Sequence, residues 1–208
     1  MPALPTGTIT FLFTDVAGSS RLWEAHPRAM RQVMARHDAL PTQVFEQHDG
    51  VVLRPRGEGD GLFAVFIRAT DAVAAAAAGQ YALATADWNE IGPLPVRMGL
   101  HTGEADLRDG EYYGTAVNRG ARLCAIAHGG QVLLSHATAA LVETELPAEV
   151  DLEARNPKTG PGATASRKLD FSDFDRADPD ELNRILWEAL KPGKEMPAPV
   201  RSAMLVWR

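Results

Sequence analysis

The chain has 208 residues, 45% of them hydrophobic, and a formal net charge of −6. That is enough for one well-buried domain of about 150 residues plus a tail, and the acidic balance argues against a nucleic-acid partner, which asks for a basic face. A single cysteine, Cys124, excludes an internal disulfide and a cysteine zinc site, and no stretch approaches the roughly 18 apolar residues of a membrane span, so the expected setting is cytoplasmic, away from membranes.

Residues 1–6 read as an N-terminal extension. Residues 8–14 alternate and are rich in β-branched and aromatic side chains, which predicts a strand ending at Asp15. Val16-Ala17-Gly18-Ser19-Ser20 is a small-residue turn into a helix, with Ser19 or Ser20 as its cap. Leu22, Trp23, Met30, Val33, Met34, His37, Leu40, Val44 and Phe45 recur at helical spacing, and Pro41 should kink or break the helix. Asp49-Gly50 marks a turn. Residues 51–53 and 62–66 then form a hairpin around Gly57-Glu58-Gly59-Asp60-Gly61.

A helix over about 71–87 precedes a strand over 96–107 that is interrupted at Gly103. A helix over 115–127 ends at Gly129-Gly130. A short strand over 131–134 and a helix over 136–146 follow. The order β-α-β-β-α-β-α-β predicts an α+β fold, a ferredoxin-like (split βαβ) α/β sandwich, over residues 7–149. Residues 150–208 read as linker and tail, with a turn-rich run over 156–162 and one helix over about 179–190. Asp178, Pro179 and Glu181 start that helix, and Leu182, Ile185, Leu186 and Ala189 give it an apolar stripe. The closing stretch, with Pro192, Pro197 and Pro199, reads as extended or disordered.

Asp15 and Asp60 carry the chemistry. Two carboxylates on neighbouring strand ends, beside a helix N-terminus, are what holding Mg²⁺ against a triphosphate requires. Glu58 reads as turn surface. Asn118 and Arg122 are four apart and share a helix face, which Val117, Ala121 and Leu123 flank as a buried face would. His101, on a buried strand without an acid–base partner, reads as a core histidine, and Cys124 as packing. An aspartate-nucleophile phosphatase, suggested by Phe13-Thr14-Asp15, would want a second acid where Ala17 stands.

Three segments, residues 13–20, Gly59-Asp60-Gly61 and residues 114–123, resemble in order and spacing the signatures of class III adenylate and guanylate cyclases. Residues 98–103 resemble that family's glycine-containing fourth strand. The likeness covers roughly residues 7–146 and is closest to the actinobacterial, mycobacterial-like branch. It implies an adenylate cyclase that turns ATP into 3′,5′-cyclic AMP and pyrophosphate with two Mg²⁺ or Mn²⁺ ions per site.

Asp15 and Asp60, with the carbonyl of Val16, would hold the ions. Ala17, Gly18, Ser19 and Ser20 would cradle phosphate through their N–H groups. Asn118 would bind the ribose region, and Arg122 would offset charge on the phosphates, both from the other protomer of a homodimer with shared sites. At the positions of the family's base-reading lysine and aspartate stand Arg56 (Arg54 by the alternative count) and Glu111. ATP is the favoured substrate; a guanylate or relaxed-specificity cyclase, or a low-activity nucleotide-binding regulatory module, is the alternative. The family's late triphosphate lysine has no counterpart after residue 149 beyond Lys158, Arg167 and Lys168.

Overall fold

The computed structural model describes residues 4–53 and 59–145, together with the backbone of strands Asp151–Arg155 and Ala203–Trp207. Arg54, Arg56, Glu58, Lys158, Arg167, Lys168 and the helix expected over 179–190 lie outside the described residues.

Strand β1 (Thr8–Val16) lies in the interior of a seven-stranded sheet, third in its order. It pairs antiparallel with β3 (Phe63–Phe66) on one side and β4 (Val96–Glu104) on the other, while β2 (Val51–Leu53) closes one edge against β3. The order β2-β3-β1-β4 is the split βαβ arrangement that the pattern of elements predicts. Beyond β4 the sheet turns parallel, through β7 (Val132–Ser135), β9 (Ala203–Trp207) and β8 (Asp151–Arg155). The closing stretch is therefore extended over residues 203–207, where it is a strand threaded between two others.

Alternation along β1 sorts its side chains onto two faces. Leu12 and Val16 join a large core with Met30, Val33 and Phe45 of α2 (Pro27–Gln47), the alanine-rich α3 (Ala69–Thr85) and Val142 of α5 (His136–Val142). Ile9 and Phe11 face the other side, where Tyr112 and Ala116 cover them. The alanines of α3 let that helix lie close on the sheet, and Gln80 fastens it by donating to the carbonyls of Val96 and Gln131 at 2.9 and 3.3 Å.

The long helix divides at His26, giving α1 (Ser19–Ala25) and α2, with Pro27 at the first position of the second. Pro41, expected to interrupt, lies buried inside α2, which runs past it to Gln47. A proline costs a helix its N–H bond; here the apolar stripe of Met30, Val33 and Phe45 holds both flanking turns on the core. Nor does a serine cap α1. Gly18 stands at the N-cap with φ 74°, in the left-handed region, and no side chain bonds there.

A second departure follows β4. Residues 106–113 form a small hairpin, β5 (Asp106–Arg108) and β6 (Glu111–Tyr113), turned by Asp109 and Gly110 with φ 52° and 79°. Tyr112 pins it to the sheet, packing edge-on against Phe11 and Phe63 and donating its hydroxyl to the Pro5 carbonyl at 2.6 Å.

His101 behaves as a core residue. It is buried and its Nδ1 meets Ser135 Oγ at 2.8 Å, at the head of a hydroxyl chain that continues through Thr138 and Thr102 to Thr10. Burial first, and then the nearby Arg119 charge, push its pKa down to about 4. An unfolded histidine takes up its proton near 6.5, whereas the native one waits until about 4. This residue's stabilising contribution is thus complete above pH 6.5 and drains away as pH falls from 6.5 towards 4. Urea midpoints followed across that window should fall less steeply for His101→Gln than for the unaltered chain; parallel slopes would assign the loss to other groups.

Candidate active site

The helix α4 (Thr115–Ile126) lies directly on β1 and β4 because glycines meet there. A Cβ on Gly99 of β4 would stand 2.2 Å from the Cys124 backbone nitrogen, and one on Gly120 would stand 2.7 Å from the Phe13 ring. Ala116, Gly120, Leu123 and Cys124 turn towards the sheet. Asn118 and Arg122 are exposed on the opposite side of the helix. Ala121, expected to mark a buried flank beside them, is exposed as well; Leu123 is buried and Val117 partly so. The helix thus keeps its small residues for the sheet and presents its polar pair outward.

Asp15 sits near the end of β1, on the face that α4 covers, opposite Arg97 in the ladder with β4. Asp60 is brought to the same strand end by the turn that follows it. Leu62 N–H donates to Thr14 Oγ1 at 2.9 Å, and Thr14 N–H donates back to the Leu62 carbonyl at 2.9 Å. Gly61 fits between them only without a side chain, since a Cβ there would be 2.6 Å from the Thr14 carbonyl oxygen. Both carboxylates reach Cys124 electrostatically. Burial foremost, then Asp15, with a smaller push from Asp60, drive its thiol up to about 12 against the opposing Arg97 charge. The thiol is inert at neutral pH.

Gly61→Ala should therefore cost about 1–3 kcal/mol, seen as a lowered urea midpoint, because backbone rather than a flexible side chain opposes the added methyl. An unchanged midpoint would mean that the Asp60 turn yields freely.

The two acids differ in their surroundings. Asp60 Oδ2 is buried without a hydrogen-bond partner. Asp15 Oδ2 accepts from Arg97 Nε at 2.7 Å and is also ion-paired with Nη2, while Arg97 Nη1 donates to the Ala125 carbonyl at the end of α4, 2.6 Å away. An orphaned buried carboxylate oxygen beside a second carboxylate fits a divalent cation, which prefers oxygen ligands. Among the described residues no group of three or more His, Cys, Asp and Glu side chains is gathered for a metal, so protein carboxylates could supply only part of a coordination shell.

The turn after β1 differs from expectation at one residue. Ala17 N–H donates to the Pro95 carbonyl at 2.9 Å, so it is spent inside the fold and withdrawn from any phosphate cradle. Val16 is buried in the ladder against Val96. Gly18, Ser19 and Ser20 begin α1, and the Gly18 carbonyl accepts from Arg21 and Leu22. Glu111 lies on β6, in the separate two-stranded sheet and not in the main sheet that bears Asp15, and its Oε2 accepts from the Tyr113 hydroxyl at 2.7 Å.

Sequence reasoning passed over Arg97 and Thr14. Arg97 left one trace, a charged residue on a strand otherwise buried at Val96 and Met98. Thr14 left none, because its role depends on a contact with residue 62 that only folding creates.

This α+β architecture is that of class III nucleotidyl cyclase catalytic domains. Residues 1–166 match the family model of the adenylate and guanylate cyclase catalytic domain, and the chain belongs to that family. It is 44% identical over 159 residues to the uncharacterised protein Rv0891c of Mycobacterium tuberculosis, covering 75% of this chain and 53% of that one, which supports the actinobacterial branch. It is 33% identical over 156 residues to an adenylate cyclase of Podospora anserina, covering 63% of this chain and 7% of that protein. The chain thus spans about half the length of the mycobacterial relative and a small part of the fungal one. Among solved structures, an adenylate cyclase of Trypanosoma brucei in its monomeric state superposes with a TM-score of 0.62 at 28% identity, covering 71% of this chain and 80% of the other. No helix among the described residues is long and apolar enough to cross a membrane.

Proposed function

We propose that the chain is a cytoplasmic adenylate cyclase, converting ATP to 3′,5′-cyclic AMP and pyrophosphate at sites shared between the two protomers of a homodimer. The observation that carries this reading is the clamp of Leu62 on Thr14, which sets the unpartnered Asp60 Oδ2 beside the strand end that bears Asp15. When bound, two Mg²⁺ or Mn²⁺ ions would supply Lewis acidity to the ribose 3′-hydroxyl and charge to balance the departing pyrophosphate. Asp15 and Asp60 would hold them, with the Val16 carbonyl as a further ligand.

The 3′ oxygen attacks the α-phosphorus, the bond to the β-phosphate oxygen breaks, and the hydroxyl proton leaves to solvent. Gly18, Ser19 and Ser20 offer contacts to the triphosphate. Asn118 orients the ribose and Arg122 neutralises charge on the phosphates, a contact whose loss typically costs about 2.7–4 kcal/mol of transition-state stabilisation. The exposure of both on the side of α4 away from their own Asp15 supports their service to a neighbouring protomer. Arg56 would donate to adenine N1 and Glu111 accept from the 6-amino group. The Tyr113 hydroxyl already on Glu111 competes for that acceptor, which favours relaxed base selection or low turnover as the second reading.

The test is a cyclisation assay with ATP and GTP in Mg²⁺ and in Mn²⁺. Cyclic AMP should be the main product. No cyclic product from either nucleotide in either metal would leave the regulatory module as the surviving reading. Because the sites are shared, activity per chain should fall on dilution below the dimer dissociation constant. Constant specific activity through that range would place a whole site in one chain.

A further inference from the structure

We propose that Arg97 is an internal counter-cation that stands in the divalent ion's place on Asp15 and has to leave Oδ2 for the site to load. The proposal rests on the reading of Asp15 and Asp60 as the metal carboxylates. Nε and Nη2 of Arg97 converge on the one oxygen, Oδ2, so the guanidinium covers an oxygen that Asp15 would otherwise offer to a divalent ion. The pair is reachable, with 33% of the Asp15 side chain and 24% of the Arg97 side chain exposed.

Charge works in the same direction as occupancy. While Arg97 is in place, an incoming cation meets one uncompensated carboxylate, Asp60, and one neutralised by a fixed positive group, which weakens the attraction. Asp60 Oδ2 carries no hydrogen-bond partner that an ion would have to displace, whereas Asp15 Oδ2 does.

Departure does not strand the guanidinium. Nη1 already donates to the Ala125 carbonyl, an anchor that is independent of Asp15. That anchor is the last turn of α4, whose outward face carries Asn118 and Arg122. Arg97 is thus a positioning residue, acting on the metal site through Asp15.

The test is a Mn²⁺ titration of the nucleotide-free full chain, with free ion read from its paramagnetic resonance signal. Arg97→Met should bind Mn²⁺ about tenfold more tightly than the unaltered chain, since both the competitor and its charge are gone. Asp15→Asn should lose most of the binding. Unchanged or weaker binding by Arg97→Met, with Asp15→Asn still deficient, would overturn the proposal and leave the metal reading intact. If Asp15→Asn bound normally, the metal reading itself would fall and carry the proposal with it.

Should Arg97→Met not fold, the unaltered chain provides a second measurement. The Arg97 Nε–H nuclear resonance should move over the range of Mg²⁺ that loads the site. A stationary signal at saturating Mg²⁺ would refute the displacement.

Discussion

Asp15→Ala should lower cyclic-nucleotide formation by at least about 100–1,000-fold, the scale of losing a charge-stabilising group in an active site. The fold should survive the change. Asp15 is one-third exposed, and Arg97 keeps its bond to the Ala125 carbonyl when the carboxylate is removed, so losing this partly exposed ion pair should cost on the order of 1 kcal/mol. A urea midpoint close to that of the unaltered chain, together with abolished turnover, is the expected signature. Near-normal turnover would refute the site assignment.

The same variant tests the sharing of sites. Mixed in equal amounts with Arg122→Ala under conditions of subunit exchange, it should recover about a quarter of full activity, because half the dimers are hybrids with one intact site of two. No recovery, with hybrid dimers demonstrated, would put Arg122 and Asp15 in the same chain's site.

The second large effect is expected at Gly99. An added Cβ would stand 2.2 Å from Cys124 N and 2.8 Å from the Gly120 carbonyl oxygen, and neither backbone atom can rotate away. Gly99→Ala should therefore lift α4 off the sheet and cost about 3 kcal/mol or more, above the usual range for overpacking. Gly59 offers the contrast. Its Cβ would meet only Gly61 N, at 4.0 Å, so Gly59→Ala should leave stability nearly unchanged. Activity should fall with stability at Gly99, because the lifted helix carries Asn118, Arg122 and the carbonyl that anchors Arg97. Equal midpoints for the two alanine variants would show that the helix–strand contact is softer than its geometry implies.

Much of this arrangement is legible in local pattern. Period-two alternation over residues 8–14 marks β1, with its two-faced burial, and helical spacing marks the core face of α2. Asp49-Gly50 is the turn its residues announce, with Asp49 at φ 59°. The Asp109-Gly110 turn carried an equally strong signal. β4, expected to be interrupted at Gly103 and to reach 107, instead runs unbroken through Gly103 and ends at Glu104, after which the chain enters the small hairpin that docks through Tyr112. The division at His26 follows local proline chemistry, with Pro27 opening α2, whereas the passage through Pro41 shows tertiary packing outweighing a local penalty.

By itself the sequence determined the split βαβ order of elements and the place of Asp15 near the end of β1, because both are written in short-range periodicity and turn chemistry. Tertiary structure alone decided that Asp60 is clamped to Thr14, that Arg97 lies across from Asp15, that Ala17 N–H is consumed by Pro95, and that residues 203–207 enter the sheet between β7 and β8. Each of these joins groups far apart along the chain, through strand register and glycine-sized gaps. Register is set by the fit of whole faces against one another, and no local run of residues contains it.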